Sequence, residues 1–360
     1  MKSQGPNGFN FNDLKACTHT CQTPTCTIHV VVDSVENGIA IGGMRIIPEA
    51  SVQETAELAR AMTQKLKLFG VPVGGAKALV APRRGYSFAD MREDIAEIMQ
   101  PFLESGFLLG EDVGTTSDEI REIYTINQID PIKNTLQIVE RRGIKVETPA
   151  AELEELLTAD FSGQLAGRGV VIVLDAFIQR NALPYSPVEV SIQGAGSVGG
   201  TTARLLAERS EYKVVALCDA DALIQDPEGI SRSWLDRHIH ARGSLKLTDL
   251  TPTASIKKPQ DWLKTKAHIL VAAAVRDAIN FEIAESLPNE IVCVIEAANL
   301  AVTSDAADKL KEIGIAVIPG ALASAFTSVC FGLLATGQAN LNNVEAVYRE
   351  RVNLIMEGLQ

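Results

Sequence analysis

The chain has no apolar run long enough to span a bilayer, no basic excess, no internal repeat and no low-complexity tract. Aromatic residues make up only 5% of its 360 residues. Each absence excludes something. A net charge of -12, with acidic residues scattered along the chain, argues against nucleic acid or an anionic membrane surface as a partner, because both need a basic face. Residues 1–8 (MKSQGPNG) lack the apolar core of a secretory signal, so a cytoplasmic location is expected. Of six cysteines, Cys218, Cys293 and Cys330 lie in apolar runs and read as small buried residues. Cys17, Cys21 and Cys26 cluster around His19, but their spacing matches no standard zinc pattern, and no metal is expected. Asp236, His238 and His240 read as a solvated surface.

What is present is an ordinary apolar fraction of 46% and enough length for two domains. Residues 26–33 alternate as a strand, Asn37-Gly38 is a hairpin-type turn, and 39–47 reads as the returning strand. Ser51 with Glu54 starts a helix that should reach Phe69, where Gly70 and Pro72 stop it. On that helix Leu58, Met62, Lys65 and Phe69 share a face. A further helix is expected over 88–104, and the weakly patterned, acidic stretch 130–160 as the link between domains. Beyond it, apolar runs at 188–193, 213–219, 268–275, 291–296 and 313–318 alternate with helical segments. That is the pattern of a doubly wound parallel sheet. The expected architecture is α/β. A substrate domain over 1–150, with a helix from about 335–360 packing back on it, precedes a Rossmann-type dinucleotide domain over 151–334.

Gly194-Ala195-Gly196-Ser197-Val198-Gly199 stands between a predicted strand and a predicted helix. Gly194 suits the tight turn, Gly196 the close approach of a pyrophosphate, and Gly199 the packing of helix on strand. The helix amino terminus, with Ser197 and Val198, supplies N–H groups to the phosphates. Asp219, at the end of the next strand, suits the adenosine ribose and favours NAD over NADP; Asp221 is the alternative.

Lys77 follows two glycines and is flanked by small and apolar residues. Desolvation there would lower its pKa and make it a base, although a lysine in such a strand also snorkels to water. Gly42-Gly43-Met44-Arg45, Lys65 and Asp112 bring further chemistry to the same half of the chain. One cation can hold a substrate carboxylate, a second lysine can exchange protons, and the aspartate can shuttle one with a nitrogen.

The order Gly-Gly-x-Arg (42–45), Met-Thr-x-Lys (62–65), Gly-Gly-x-Lys (74–77), Asp-Val-Gly-Thr (112–115) and Gly-x-Gly-x-x-Gly (194–199) resembles the glutamate/leucine/phenylalanine/valine dehydrogenases, most nearly the leucine/valine/phenylalanine/tryptophan branch. The resemblance runs from about residue 28 to 320. It implies NAD(P)-dependent deamination of an L-amino acid to a 2-oxo acid and ammonia, or the reverse, in a homo-oligomer. By motif, Lys65 would bind the α-carboxylate, Lys77 would activate water, and Asp112 would handle the ammonia protons. Ala273 and Asn299 would lie at the cofactor.

Glutamate-specific members resemble Lys-Gly-Gly where this chain has Ile41-Gly42-Gly43. An apolar Ile41 would leave a distal carboxylate unpaired, so a neutral side chain is expected, with Ile41 and Met62 as pocket walls. Two departures stand out. Ala166 occupies the place of a nicotinamide-binding threonine, and Pro319–Thr327 lacks the family's aspartate, asparagine and glycine pair, with Phe326 expected to narrow the pocket. An unusual oxo-acid or imine substrate, or a catalytically silent nucleotide-binding homologue, remain the alternatives at this point.

Overall fold

The computed structural model describes residues 13–155, 159–240 and 243–358; the amino-terminal stretch discussed above lies outside them. The chain divides into two compact units. One runs to Phe161 and takes in Ser328–Arg351; the other comprises Ser162–Thr327 and the residues from Val352 onward. Among the described residues, no helix is long and apolar enough to cross a membrane.

The first unit contains β1 (Cys17–Gln22), β2 (Cys26–Val32), β3 (Ala40–Ile46), α1 (Val52–Leu68), β4 (Gly74–Pro82), α2 (Phe88–Ser105), β5 (Phe107–Glu111), α3 (Ser117–Ile126), α4 (Pro131–Arg141) and α5 (Ala150–Glu155). Its sheet has the order β1-β2-β4-β3-β5. The expected hairpin is not formed. Asn37 and Gly38 do make a tight turn, with φ of 52° and 80°. However, β4 pairs with both β2 and β3 and lies between them, because β3 runs parallel to β4 and to β5. The turn therefore redirects the chain past β2 rather than back along it. β1, unforeseen from the sequence, is an edge strand antiparallel to β2. It carries Cys17 and Cys21 half-buried on one face, with the His19 ring 5.8 Å from that of Phe102. Among the described residues, no group of three His, Cys, Asp or Glu side chains is placed to hold a metal ion.

Strand alternation sorts this sheet into two chemistries. Ile28, Val30 and Val32 of β2, Ala40 and Met44 of β3, Ala76, Ala78 and Val80 of β4, and Phe107 and Leu109 of β5 enter one apolar core with α2 and α3. The intervening positions, including Gly43, Arg45, Gly75 and Lys77, face the other side, where α1 lies. Ser51 caps α1 by accepting the Glu54 N–H. The helix buries Thr55, Ala59, Thr63 and Leu66. It approaches β4 so closely that a Cβ on Gly75 would lie 2.2 Å from the Thr63 nitrogen and 2.8 Å from the Ala59 carbonyl oxygen.

The stretch read as a link also holds α4, capped by the Asp130 carboxylate on the Lys133 N–H, with Ile132, Thr135, Ile138 and Val139 buried. Its apolar residues recur at helical spacing, a signal that the reading of the whole acidic stretch as a link passed over. In the same unit, Tyr348 stacks on Phe69 at 5.0 Å.

Next come α6 (Ala159–Asn181), β6 (Val188–Gln193), α7 (Ser197–Leu206), β7 (Tyr212–Cys218), β8 (Leu223–Gln225), α8 (Arg232–His238), β9 (Ser255–Lys257), β10 (Ile269–Ala272), α9 (Phe281–Ser286), β11 (Cys293–Glu296), α10 (Ser304–Glu312), β12 (Ala316–Ile318) and α11 (Gly320–Ala323). Two helices complete the chain, α12 (Phe326–Ala335) and α13 (Val344–Gly358). The second sheet has the order β12-β11-β10-β6-β7-β8-β9, parallel from β12 to β7 and antiparallel beyond. The doubly wound α/β expectation holds. Strand order reverses between β6 and β10, and at such a switch point the carboxyl ends of the strands leave a crevice for a ligand.

Two expectations fail here. Phe326 does not line a pocket; it is 1% exposed, with its Cβ against Gly169 of α6, which has no side chain to keep it away. His238 is not solvated. It sits one turn after Trp234 on α8, stacks on that indole at 4.4 Å, and places its ring nitrogens 2.8 Å from the Trp234 carbonyl and 3.3 Å from the Asp249 carboxylate.

The close contact of α1 with β4 is open to test. Gly75→Val should force the helix off the sheet and cost about 1–3 kcal/mol or more. The expected reading is a lower urea midpoint at unchanged slope.

Candidate active site

β3, β4 and the turn after β5 bring Arg45, Lys77 and Asp112 together on the face of the first sheet opposite its apolar core. Lys77 Nζ donates to Asp112 Oδ2 in a close ion pair. One Arg45 terminal nitrogen reaches both carboxylate oxygens, at 3.4 Å and 3.2 Å. These groups are largely withdrawn from water, with side-chain exposures of 13% for Arg45 and Asp112 and 7% for Lys77. The turn holding Asp112 is braced by backbone. The Val113 N–H donates to Oδ1, the Asp112 N–H donates to the Thr115 hydroxyl, and that hydroxyl donates to the Met44 carbonyl. The sequence had not linked Arg45 to Asp112, because the two are 67 positions apart and meet only across the sheet.

The electrostatics follow from this packing. Burial pushes the Asp112 carboxyl up, but Lys77 and Arg45, with the Val113 N–H, outweigh it and hold its pKa at about 2. Lys65, half-buried on α1, is lowered to about 8, first by burial and then by repulsion from Lys77, against a smaller pull from Asp112. The lysine whose proton is loosened is thus Lys65. Lys77, the lysine expected from its flanking residues to be withdrawn from solvent, is buried and held in an ion pair with Asp112. Its neighbours in sequence did not reveal a carboxylate 35 positions away.

The two glycines before Arg45 differ in use. A Cβ on Gly42 would lie 1.9 Å from the Ala76 carbonyl oxygen, so this glycine serves the contact of β3 with β4. Gly43 lies on the site face, where a Cβ would be 3.0 Å from Asp112 Cβ. Ile41 is buried beside Val71 and Gly332. A Cβ on Gly332 would come within 2.4 Å of Val71 Cγ1 and 3.8 Å of Ile41 Cδ1. Met62 is half-buried on α1. Val71 and Gly332 had no signal in the sequence.

In the second unit, the glycine-rich turn joins β6 to α7. Gly194 has φ of 92°, the left-handed region that favours glycine. A Cβ on Gly199 would lie 1.9 Å from the Gly194 carbonyl oxygen and 3.2 Å from Ala273 Cβ, so no larger residue fits. On Gly196 a Cβ would meet nothing, while Gly243 packs against its backbone from another side, where a Cβ on Gly243 would lie 2.5 Å from the Gly196 nitrogen. Ser197 is exposed and Val198 half-buried on the first turn of α7. Ala273 follows β10 at the switch point and donates its N–H to the Gln193 carbonyl. Asp219, after β7, accepts the N–H groups of Asp221 and Ala222 on Oδ1 and of Leu245 on Oδ2. Oδ1 is thereby saturated, and Oδ2 keeps a second lone-pair direction for a ribose hydroxyl. Asp221 is exposed. Asn299 is exposed on the loop after β11, and Glu296 fixes that loop by accepting the N–H groups of Val302 and Gly320. Ala166 is half-buried on α6, next to Gly167, which packs against Thr201 of α7. The cradle fits a dinucleotide.

Residues 161–357 match the model of the Glutamate/Leucine/Phenylalanine/Valine dehydrogenases, and 22–127 match that family's dimerisation domain. The chain belongs to this family. Among curated relatives it is similar to glutamate dehydrogenase A2 of Halobacterium salinarum, 28% identical over 79% of this chain. A catabolic NAD-specific glutamate dehydrogenase of Bacillus subtilis is 26% identical over the same share. The chain spans 66% and 64% of their respective lengths. The fold is shared with a hetero-hexameric glutamate dehydrogenase from Thermus thermophilus in its Leu-bound form, at 23% identity and a TM-score of 0.71, covering 95% of this chain and 82% of that one. A Plasmodium falciparum glutamate dehydrogenase gives 17% identity and a TM-score of 0.73, covering 96% of this chain and 77% of that one.

The lowered lysine can be measured directly. Reaction of Lys65 with an amine acylating reagent, followed by peptide mass analysis across pH, should rise with a midpoint near 8. A midpoint near the ordinary lysine value would contradict the electrostatic account.

Proposed function

We propose that this chain is an NAD-dependent dehydrogenase that converts a neutral L-amino acid to its 2-oxo acid and ammonia, or runs the reverse. The overall change takes amino acid, water and NAD⁺ to oxo acid, ammonium, NADH and a proton. The observation that carries this reading is the charge balance of the site face. Arg45, Lys77 and Lys65 confront one carboxylate, Asp112, in a largely desolvated place. Such an excess of positive charge is stabilised by an incoming anion, and the α-carboxylate of an amino acid supplies it.

Lys65 is the clamp for that carboxylate, charged below about pH 8 and progressively neutral above it. Asp112 remains an anion at neutral pH and attracts the substrate ammonium. Lys77, in contact with Asp112, positions the water that attacks the imino carbon and, after releasing its own proton to solvent, accepts the proton that this water loses; Asp112 carries the proton returned to the departing ammonia. Gly194, Gly196, Ser197, Val198, Gly199, Asp219, Ala273 and Asn299 would hold NAD, which accepts a hydride from the substrate α-carbon. NAD rather than NADP is supported by the Asp219 carboxylate, which opposes a 2′-phosphate. The match to a dimerisation domain supports a homo-oligomer.

Substrate choice rests on Ile41. The named relatives are glutamate dehydrogenases, yet Ile41, packed with Val71 and Gly332, offers a side-chain carboxylate no counter-ion. An unpaired carboxylate there costs several kcal/mol, on the order of a hundredfold or more in selectivity.

A panel of L-amino acids with NAD, followed at the reduced-nicotinamide band, should show turnover of a neutral substrate and little of glutamate; preferential turnover of glutamate overturns the specificity. Ile41→Lys should shift the ratio of kcat/KM toward glutamate by about tenfold or more. Lys77→Ala should lower kcat by about 10²-fold or more while NADH affinity stays within about twofold. Loss of NADH binding instead would mean that the lysine is misassigned.

A further inference from the structure

Lys77 cannot both hold Asp112 and serve the reaction unless something else keeps that carboxylate charged. When Lys77 gives up its proton or turns toward substrate, Asp112 loses its nearest counter-ion. A carboxylate 13% exposed and without a cation would take up a proton and cease to act as an acceptor. The structure contains a second cation on the same oxygen. Arg45 reaches Oδ2 at 3.2 Å and Oδ1 at 3.4 Å from the neighbouring strand. Its guanidinium does not lose its proton at any working pH.

We propose that Arg45 is a positioning residue for the amino-acid deamination argued above, a standing counter-ion that keeps Asp112 anionic and fixed in direction when Lys77 lets it go. The inference rests on that reading for the chemistry, but its electrostatic content stands on the geometry alone. Three features support it. Arg45 alternates onto the site face next to Gly43, whose missing side chain lets the Asp112 turn pack directly against β3, since a Cβ there would lie 2.8 Å from the Glu111 carbonyl oxygen and 3.0 Å from Asp112 Cβ. Arg45 Nε is buried and has no hydrogen-bond partner, so among the described residues this guanidinium makes hydrogen bonds only to Asp112. A buried arginine donor left unmatched is costly, and that cost is accepted to aim one terminal nitrogen at both oxygens of one carboxylate. Finally, Arg45 is tied to the Asp112 turn by backbone. The next residue, Ile46, donates its N–H to the Val113 carbonyl, and the Met44 carbonyl accepts the Thr115 hydroxyl.

The groups facing Asp112 are Arg45 from β3, Lys77 from β4 and Lys65 from α1, with the Val113 N–H and Thr115 from its own turn. Lys65 is itself part-titrated near pH 8 and Lys77 is the group that must move, so Arg45 alone holds a constant charge.

Carboxyl-labelled aspartate and ¹³C NMR test this without substrate, with Asp112→Asn identifying the resonance. In Lys77→Gln, Asp112 should still be ionised at every pH above about 4, because Arg45 remains. In Arg45→Gln its midpoint should rise by about one to three pH units relative to the unaltered protein. Titration of Asp112 above that range in Lys77→Gln, or an unmoved midpoint in Arg45→Gln, overturns the proposal. Should Arg45→Gln not fold, the Lys77→Gln titration decides alone. In turnover, the acid limb of kcat/KM in Arg45→Gln should move upward by the same interval, and Arg45→Lys should restore it. Absence of turnover in the unaltered protein would reject the dehydrogenase reading and leave the NMR result standing.

Discussion

One carboxylate shared between two cations organises the first unit. Asp112 is too far from water to stay charged by itself, and its neighbours keep it so. Each neighbour comes from a different strand, so the cluster exists only when β3, β4 and the end of β5 are aligned. The backbone contacts of Thr115 and Ile46 hold that alignment independently of the charges. The same arrangement places Lys65 where burial first, and then the positive charge of Lys77, lower its pKa.

The second unit solves a different problem with different means. There the working surface is backbone rather than side chain. Gly194 and Gly199 let β6, α7 and Ala273 approach to distances that any side chain would forbid. Asp219 and Glu296 each spend their oxygens on backbone N–H groups, fixing the loops beyond β7 and β11 from within. These carboxylates act first as structural braces, and whatever they offer a ligand comes from a loop already held in shape.

Much of this was legible in the sequence where the signal is local. The glycine-rich turn needs only its own strand and helix, and α1 announces itself through its Ser51 cap, although the face it buries, Thr55, Ala59, Thr63 and Leu66, is not the Leu58, Met62, Lys65 and Phe69 stripe read from the sequence. What escaped is decided between distant positions. The Asn37-Gly38 turn has the chemistry of a hairpin, but β4, more than thirty residues on, occupies the place where the hairpin partner would lie. Lys77 looks like an isolated ammonium until Asp112 is placed beside it. Phe326 looks like a pocket wall until Gly169 is found against it. His238 looks solvated among polar neighbours because its partners, Trp234 and Asp249, lie in directions that a linear reading does not show.

The alternation that separates oil from charge across β3 and β4 carries a consequence for how this chain can change. Ala76 and Ala78 flank Lys77 in sequence yet belong to the opposite face. Deleting a single residue within β4 would carry the ammonium into the apolar core and turn a methyl group toward Asp112. The first unit therefore tolerates length variation in its turns and none inside its strands. Its chemistry is guarded by parity, the odd or even count of residues between one charged side chain and the next.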